Sequence, residues 1–505
     1  MIQNLTFLPI LLPMLAGVIL LMPPCGKNIT SRRITSVVLS AVTFLASLFL
    51  LLKVQADGTQ VYAIGDWSAP FGIVLVADPL STLLVCLTTL LGLVCALYAS
   101  AGDDDKGSFF HPLVHFLILG VNGAFLTGDA FNLFVFFEVL LIASYSLLMH
   151  GGDKKNTRAA LQYVIMNLVG SAVFLIALGV LYGVLGTLNM ADMAQKVALL
   201  QGNDVYLAKI GGLLLLVVFA LKGALLPLHL WLPNTYATAM PVVAALFAIM
   251  TKVGVYSMMR VYTLIFGDKA GELSHMAQSW LWWLALATIA MGAIGVLASK
   301  DLRKLTANLV IVSVGTLVAL VAVQTVEASS AAIYYLVHST LVTAALFLLA
   351  DLIGRQRGKI ADRITAGPPV SQPRLLGVCF LIAAVTVMGM PPLSGFIGKV
   401  WLLKATLNAE YTVVFWPLYL LASLAVLVAV SKAGSTVFWH HQGKATESSK
   451  QERVHPAQLV ALIILISGAP LMSVFAGPLS EYAIGAATQL HDFNNNINLI
   501  LSGGE

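Results

Sequence analysis

Charge is what this 505-residue chain has least of: Asp, Glu, Lys and Arg together make up 10% of it, while 59% is hydrophobic and the mean hydropathy is +0.91. Soluble globular domains carry about 25% charged residues, so the composition excludes a soluble domain of any size. Cysteine is scarce too. Cys25, Cys86, Cys95 and Cys379 are scattered, and all but Cys25 lie in apolar runs where a thiol behaves as a small hydrophobe. That excludes a disulfide framework. A Gly-rich phosphate loop, a His/Cys cluster with metal-ligand spacing and a nucleophile elbow are all missing, so neither cofactor nor metal nor an enzyme of its own is expected. The net charge of +5, which in a soluble protein would suggest an anionic partner such as nucleic acid, here mostly reports topology.

What is present is a succession of long apolar runs. A helix crossing a bilayer takes about 20 mainly apolar residues, and the chain predicts such spans near 4–22, 32–53, 73–100, 109–126, 130–150, 158–186, 206–226, 241–266, 277–299, 303–324, 329–353, 374–405, 412–438 and 456–477. The first lacks a basic leader and a small-residue cleavage site, and reads as a helix rather than a removed signal. Basic residues gather in alternate loops: Lys27, Arg32 and Arg33; Lys106; Lys154, Lys155 and Arg158; Lys300, Arg303 and Lys304; Arg355, Arg357, Lys359, Arg363 and Arg374; Lys444, Lys450 and Arg453. The intervening loops hold few, such as Lys196 and Lys269. By the positive-inside rule this predicts an even number of spans with both termini on the exterior side of a bacterial inner membrane. Asp103, Asp104 and Asp105 read as a solvated acidic loop rather than a cation site. Asp78 reads as a helix N-cap, and the tail from Ser480 to Glu505 as an exterior segment along the membrane surface.

Two spans are broken. The seventh runs into LLPLHLWLP (225–233) and the twelfth contains MGMPPLSGFIGK (388–399). Proline removes a backbone donor, and such backbone at membrane depth survives only packed in protein or lining a wet cavity. The breaks sit five spans apart, and the spans after them carry TKVGVY (251–256) and SKAGST (431–436). The expected fold is therefore an all-α polytopic membrane protein of about fourteen helices with two inverted five-helix repeats, spans 4 to 8 and 9 to 13. In residues, one membrane domain (1–505) divides into helices 1 to 3 (1–106), a first repeat (107–270), a second repeat (271–442), and a last helix with its tail (443–505).

A few ionisable residues lie inside these apolar runs, where a charge costs about 2.5 to 3.5 kcal/mol even on lenient insertion scales. Glu138, in FNLFVFFEVLLIASYSLL (131–148), reads as a carboxylate that holds and tunes a lysine, or as a helix clamp. Lys222, in VVFALKGALLPLH (217–229), is its candidate partner, with a snorkelling lysine as the alternative. Lys252 repeats the situation in the next span. Lys399, after the second break, reads as the repeat counterpart of Lys222. His338, in AAIYYLVHSTLVTAALF (331–347), reads as a relay between the lysines or as a hydrogen-bonded core residue. Lys432 is an exit-path residue or a snorkelling side chain. His229 stands at the first break, as a path residue or as a cap of the broken helix.

Four segments agree in order and spacing with a known family: the Glu138 helix, KGALLPLHLWLPNTYATAMPVVAALFAIMTKVGVY (222–256), SKDLRKLTANLVIVSVGTL (299–317) and GMPPLSGFIGKVWLL (389–403). Over nearly its whole length the chain resembles the antiporter-like subunits shared by Mrp-type monovalent cation/proton antiporters, respiratory complex I and membrane-bound hydrogenases. It is most similar to the D-type subunits of the Mrp antiporters. The resemblance implies a proton path in which Glu138 pairs with Lys222, protons pass Lys252 and His338, and Lys399 controls the far half-channel. It also implies membrane-subunit partners, and H⁺ and Na⁺ (or K⁺) as transported ions. Complex I relatives usually carry an Asp and a His where this chain has Asn234 and Tyr236, and one has a glutamate at the place of Lys399. The tenth span has NLVIVSVG (308–315) where many relatives place Ser and His, which implies a polar step that is missing or supplied by water. The other readings are a proton-pumping subunit of a redox complex and a structural scaffold whose charges only lock helices.

Overall fold

The computed structural model describes residues 3–23, 25–150, 154–440 and 453–502. Lys444 and Lys450, and the side chains of Lys106, Lys154 and Lys155, lie outside what it describes. The first half of the chain forms α1 (Leu8–Leu21), α2 (Ile29–Asp57), α3 (Pro79–Ala99), α4 (Phe110–Leu126), α5 (Ala130–Met149), α6 (Lys154–Leu185), α7 (Met190–Val197), α8 (Asn203–Gly223), α9 (Trp231–Thr238), α10 (Pro241–Phe247) and α11 (Met250–Leu264). The second half forms α12 (Gln278–Ala298), α13 (Leu302–Val323), α14 (Val326–Gln356), α15 (Pro373–Met388), α16 (Ser394–Ala405), α17 (Ala409–Phe438), α18 (Pro456–Val474), α19 (Ala476–His491) and α20 (Phe493–Leu501). Among the described residues, eleven stretches are long and apolar enough to cross a membrane, and three shorter apolar helices, Leu5–Leu21, Phe110–Leu126 and Pro373–Met388, stand where spans one, four and twelve were expected.

Local sequence sets the helix starts. Asp78 accepts from the Ser81 N–H at 2.8 Å with Pro79 at the first helical position of α3, and Asn28 and Asp129 cap α2 and α5 in the same way. The packing is that of a membrane protein rather than a water-soluble one. On α2 the small polar residues Ser36, Ser40, Thr43 and Ser47 face inward, while Ile34, Leu45 and Phe49 are each 61% exposed. Small inward faces let helices approach closely, and apolar outward faces suit lipid. The centre consists of the almost wholly buried stretch Pro241–Leu264 together with α13 and α14, with α2, α6, α17 and α18 as the wall. That centre carries Lys252 and His338.

The structure departs from expectation in four places. A two-stranded antiparallel hairpin, β1 (Gln60–Ala63) with β2 (Val74–Ala77), interrupts the all-α pattern, its register pairing Gln60 with Ala77. The eighth span is broken between α10 and α11, where the Tyr236 hydroxyl donates to the freed Phe247 carbonyl at 2.8 Å. The tail does not simply lie along a surface: α19 packs against α14 and α3, and α20 buries Asn496, Ile497 and Ile500 beside α7. The acidic loop is solvated only at Asp105. Asp104 is 1% exposed, bonded by Arg33 of α2 at 2.5 Å and by His111 of α4 at 3.0 Å, while Asp103 pairs with Arg355 at the end of α14. Carboxylates pulled out of water need such partners. These pairs place the α2 start, the α3–α4 loop and the α14 end at one end of the bundle, as the alternation of basic loops requires.

Candidate functional site

Both expected helix breaks are present and are built alike. α8 ends with Ala224 in the left-handed region (φ 60°, ψ 47°), and the Leu225 N–H reaches back to the Ala220 carbonyl at 2.8 Å. α15 ends with Gly389 (φ 71°, ψ 44°), and the Met390 N–H reaches the Val385 carbonyl at 3.1 Å. This six-to-one closure satisfies carbonyls that a helix end would otherwise leave unpaired. At the first break the Trp231 indole donates to the Leu221 carbonyl at 3.1 Å and the Leu226 N–H to Thr288 Oγ1 at 2.9 Å. Those two groups, not His229, cap the break; His229 is buried and its Nδ1 has no hydrogen-bond partner among the described residues.

Lys222 and Lys399 are not register equivalents. Lys222 precedes Ala224 in the last turn of α8, whereas Lys399 follows Gly389 in the second half-helix, α16. Its side chain makes up the difference by reaching back over the break, and Nζ donates to the Met388 carbonyl at 2.7 Å. The Lys399 ammonium therefore serves the C-terminal end of α15, where unpaired carbonyls and the helix dipole favour a cation, whereas the Lys222 ammonium turns to α6. Gly389 makes the approach feasible, since a Cβ there would lie 2.4 Å from Lys399 Cδ.

Glu138 and Lys222 interact electrostatically but form no direct salt bridge. Two residues of α6 take their hydrogen bonds: Ser171 donates to Glu138 Oε1, and Lys222 Nζ donates to Asn167 Oδ1 at 3.1 Å. Asn167 and Ser171 are one helical turn apart on one face of α6. The Asn167 amide is oriented by its own bond to the Tyr163 carbonyl at 2.8 Å, which leaves Oδ1 as the acceptor for the lysine. Lys222 also lies 5.7 Å from the centre of the Phe137 ring. Lys222 is 6% exposed and Glu138 half-buried.

Lys252 is fully buried, and its Nζ donates to Ser313 Oγ at 3.3 Å. Ser313 belongs to the stretch 308–315 in which no polar step was expected, so that step is supplied by the chain itself. Beyond it lies a cavity of about 30 Å³ lined by Ser313, Tyr335, His338, Lys399, Tyr419 and Ser423 among others. A site of this size accommodates one or two waters. His338 does not bridge the lysines directly: its Nδ1 bonds Ser394 Oγ at 2.9 Å, and it also lines a second cavity of about 10 Å³ with Thr386 and Ser394. Lys432 is exposed on α17, as a snorkelling side chain would be. Sequence reading missed Asn167, Ser171, Ser313, Tyr335 and Tyr419. Their one signal was polarity within an apolar span.

Residues 127–426 match the family described as NADH:quinone oxidoreductase/Mrp antiporter, TM. The chain is 38% identical to the D subunit of a probable K(+)/H(+) antiporter of Rhizobium meliloti, with 97% of this chain and 96% of the relative covered. It is 39% identical to the D subunit of the Na(+)/H(+) antiporter of Bacillus subtilis, with 92% and 94% covered. Among solved structures it superposes on a chain of the Mrp complex from Dietzia sp. with a TM-score of 0.86 at 26% identity, covering 99% of each. A chain of respiratory complex I from Thermus thermophilus gives a TM-score of 0.77 at 25% identity, with 97% and 99% covered. A multi-pass membrane protein by its spans, the chain belongs to the NADH:quinone oxidoreductase/Mrp antiporter family.

Proposed function

We propose that this chain is the proton-translocating subunit of a multisubunit Na⁺(K⁺)/H⁺ antiporter, conducting protons past Glu138, Lys222, Lys252, His338 and Lys399 and assembled with other membrane subunits. The observation that carries the reading is a row of lysines, Lys222 and Lys252 buried and Lys399 half-buried, whose bonded partners are neutral. Lys222 meets Asn167, Lys252 meets Ser313, and Lys399 meets a carbonyl, so each can exchange a proton without breaking an ion pair. Intramembrane ionisable groups are costly, so those that are present mark ion or proton paths. Coupling is electrostatic: a proton arriving on one lysine changes the proton affinity of the next through a low-dielectric interior. The antiporter reading is favoured over a redox-driven pump because relatives of 38% and 39% identity over nearly the whole chain are named antiporter D subunits.

In this proposal the stretches 107–270 and 271–442 are inverted repeats flanked by helices 1 to 3 (1–106) and by the last helix with its tail (443–505). The basic loops face the cytoplasm and both termini the exterior of a bacterial inner membrane. The test uses the whole complex in everted vesicles from cells lacking other antiporters. With a respiration-driven pH gradient in place, added Na⁺ or K⁺ collapses the gradient only when this chain is present. Proton pumping by the purified complex on addition of an electron donor and quinone, without any cation response, overturns the antiporter reading in favour of a redox complex.

A further inference from the structure

The five ionisable residues leave a gap between Lys252 and Lys399, and the structure fills it with hydroxyl groups. Lys252 Nζ already donates to Ser313 Oγ at 3.3 Å. The Tyr335 side chain interacts with those of Ser313, Thr316 and Tyr419. Tyr419 is 2% exposed, its buried hydroxyl has no well-formed hydrogen bond among the described residues, and its ring centre lies 5.9 Å from Lys399 Nζ. Ser313, Tyr335, Tyr419 and Lys399 all line the cavity of about 30 Å³. A buried polar group without a partner beside a cavity of that size is where an ordered water is expected.

We propose that the hydroxyls of Ser313, Tyr335 and Tyr419 carry the proton from Lys252 to Lys399, an inference that rests on the proton-path reading above. In the transfer the Lys252 ammonium gives a proton to Ser313 Oγ as the serine's own proton passes to the Tyr335 oxygen. Tyr335 passes its proton to Tyr419, and Tyr419 passes its own to the Lys399 amine, directly or through one water in the cavity. Each O–H bond that breaks is matched by one that forms. Lys252 ends as a neutral amine, Lys399 as an ammonium, and no hydroxyl ionises. Rotation of the three hydroxyls resets the chain. Hydroxyls suit this task because each is both donor and acceptor. His338, bonded to Ser394, lines this same cavity and connects it to the second one as a branch of the relay.

The experiment measures cation-driven proton movement by the intact complex in vesicles carrying Tyr335→Phe, Tyr419→Phe and the double variant, each of which removes only hydroxyl groups. With the amount of assembled complex unchanged, each single variant slows transport by about tenfold or more, as loss of a proton-transfer group does. The double variant is no slower than the slower single one, because the groups act in series. Ser313→Ala behaves alike and decides the matter if a tyrosine variant fails to assemble. Full transport in the double variant, alongside inactive Lys252→Met and Lys399→Met, overturns the hydroxyl relay and leaves the lysine path standing. Full transport in the lysine variants as well overturns both.

Discussion

A buried cation can be locked or left free to change its proton, and this chain contains both kinds. Arg260 of α11 is held by the Asp78 carboxylate and by the Tyr256 hydroxyl, a charge-assisted set that ties α3 to the core. Lys222 and Lys252, in contrast, each bond a neutral side chain. Asp104 belongs to the locked kind. Burial raises its carboxyl, but the bonds from His111 and Arg33 outweigh burial and hold it at about 2. A carboxyl depressed in the folded state contributes stability at pH above its unfolded value of about 3.9, and that contribution is lost as pH falls toward 2. Asp104→Asn should therefore lower the thermal midpoint of the purified complex at pH 7, with the deficit shrinking as pH falls from about 4 to 2. A deficit that stays constant across that window contradicts the assignment.

At this scale the sequence was legible where an ionisable residue stood in an apolar run. Glu138, Lys222, Lys252, His338 and Lys399 stand out in that way, and the structure brings the last two to one cavity. Asn167, Ser313, Tyr335 and Tyr419 did not stand out, because neutral polar residues occur in most spans. Which of them meet a lysine depends on how α6, α13, α14 and α17 pack, and no local pattern records that. That Ser171 and Asn167 of α6 take the hydrogen bonds of Glu138 and Lys222 was hidden for the same reason.

At the scale of elements, apolar runs and proline breaks marked the spans, because hydrogen-bond satisfaction in lipid leaves helices as the default. The hairpin, α7 and the α10–α11 break escaped notice; the last has no proline at its centre and rests on tertiary bonds such as Tyr236 to Phe247. One of the tightest helix approaches lies beside the lysines. A Cβ on Gly254 of α11 would stand 2.7 Å from Gly223 N and 3.0 Å from Gly223 Cα of α8, both backbone atoms with no side chain to yield. Gly254→Ala should force α8 and α11 apart at the level of Lys222 and Lys252, at a cost of about 1–3 kcal/mol. The expected outcome is less assembled complex or slowed proton movement, read from complex yield and vesicle transport; parental values for both contradict the close-packed geometry.

For the molecule as a whole, the most completely buried helices carry Lys252, Ser313, Tyr335 and His338, while the inward faces of the wall helices α6 and α17 add Asn167, Ser171 and Tyr419. A protein that merely locked its helices with charges would have paired them, as it does in the locked Asp78–Arg260 and Asp104–Arg33 contacts. Lys222, on this reading, carries a proton rather than a structural charge. The most direct test is cation-driven collapse of a pH gradient by vesicles containing the intact complex with Lys222→Ala. The expected result is a complex assembled in parental amounts whose cation-dependent proton movement is abolished; assembly with full transport contradicts the proton-carrying role of Lys222.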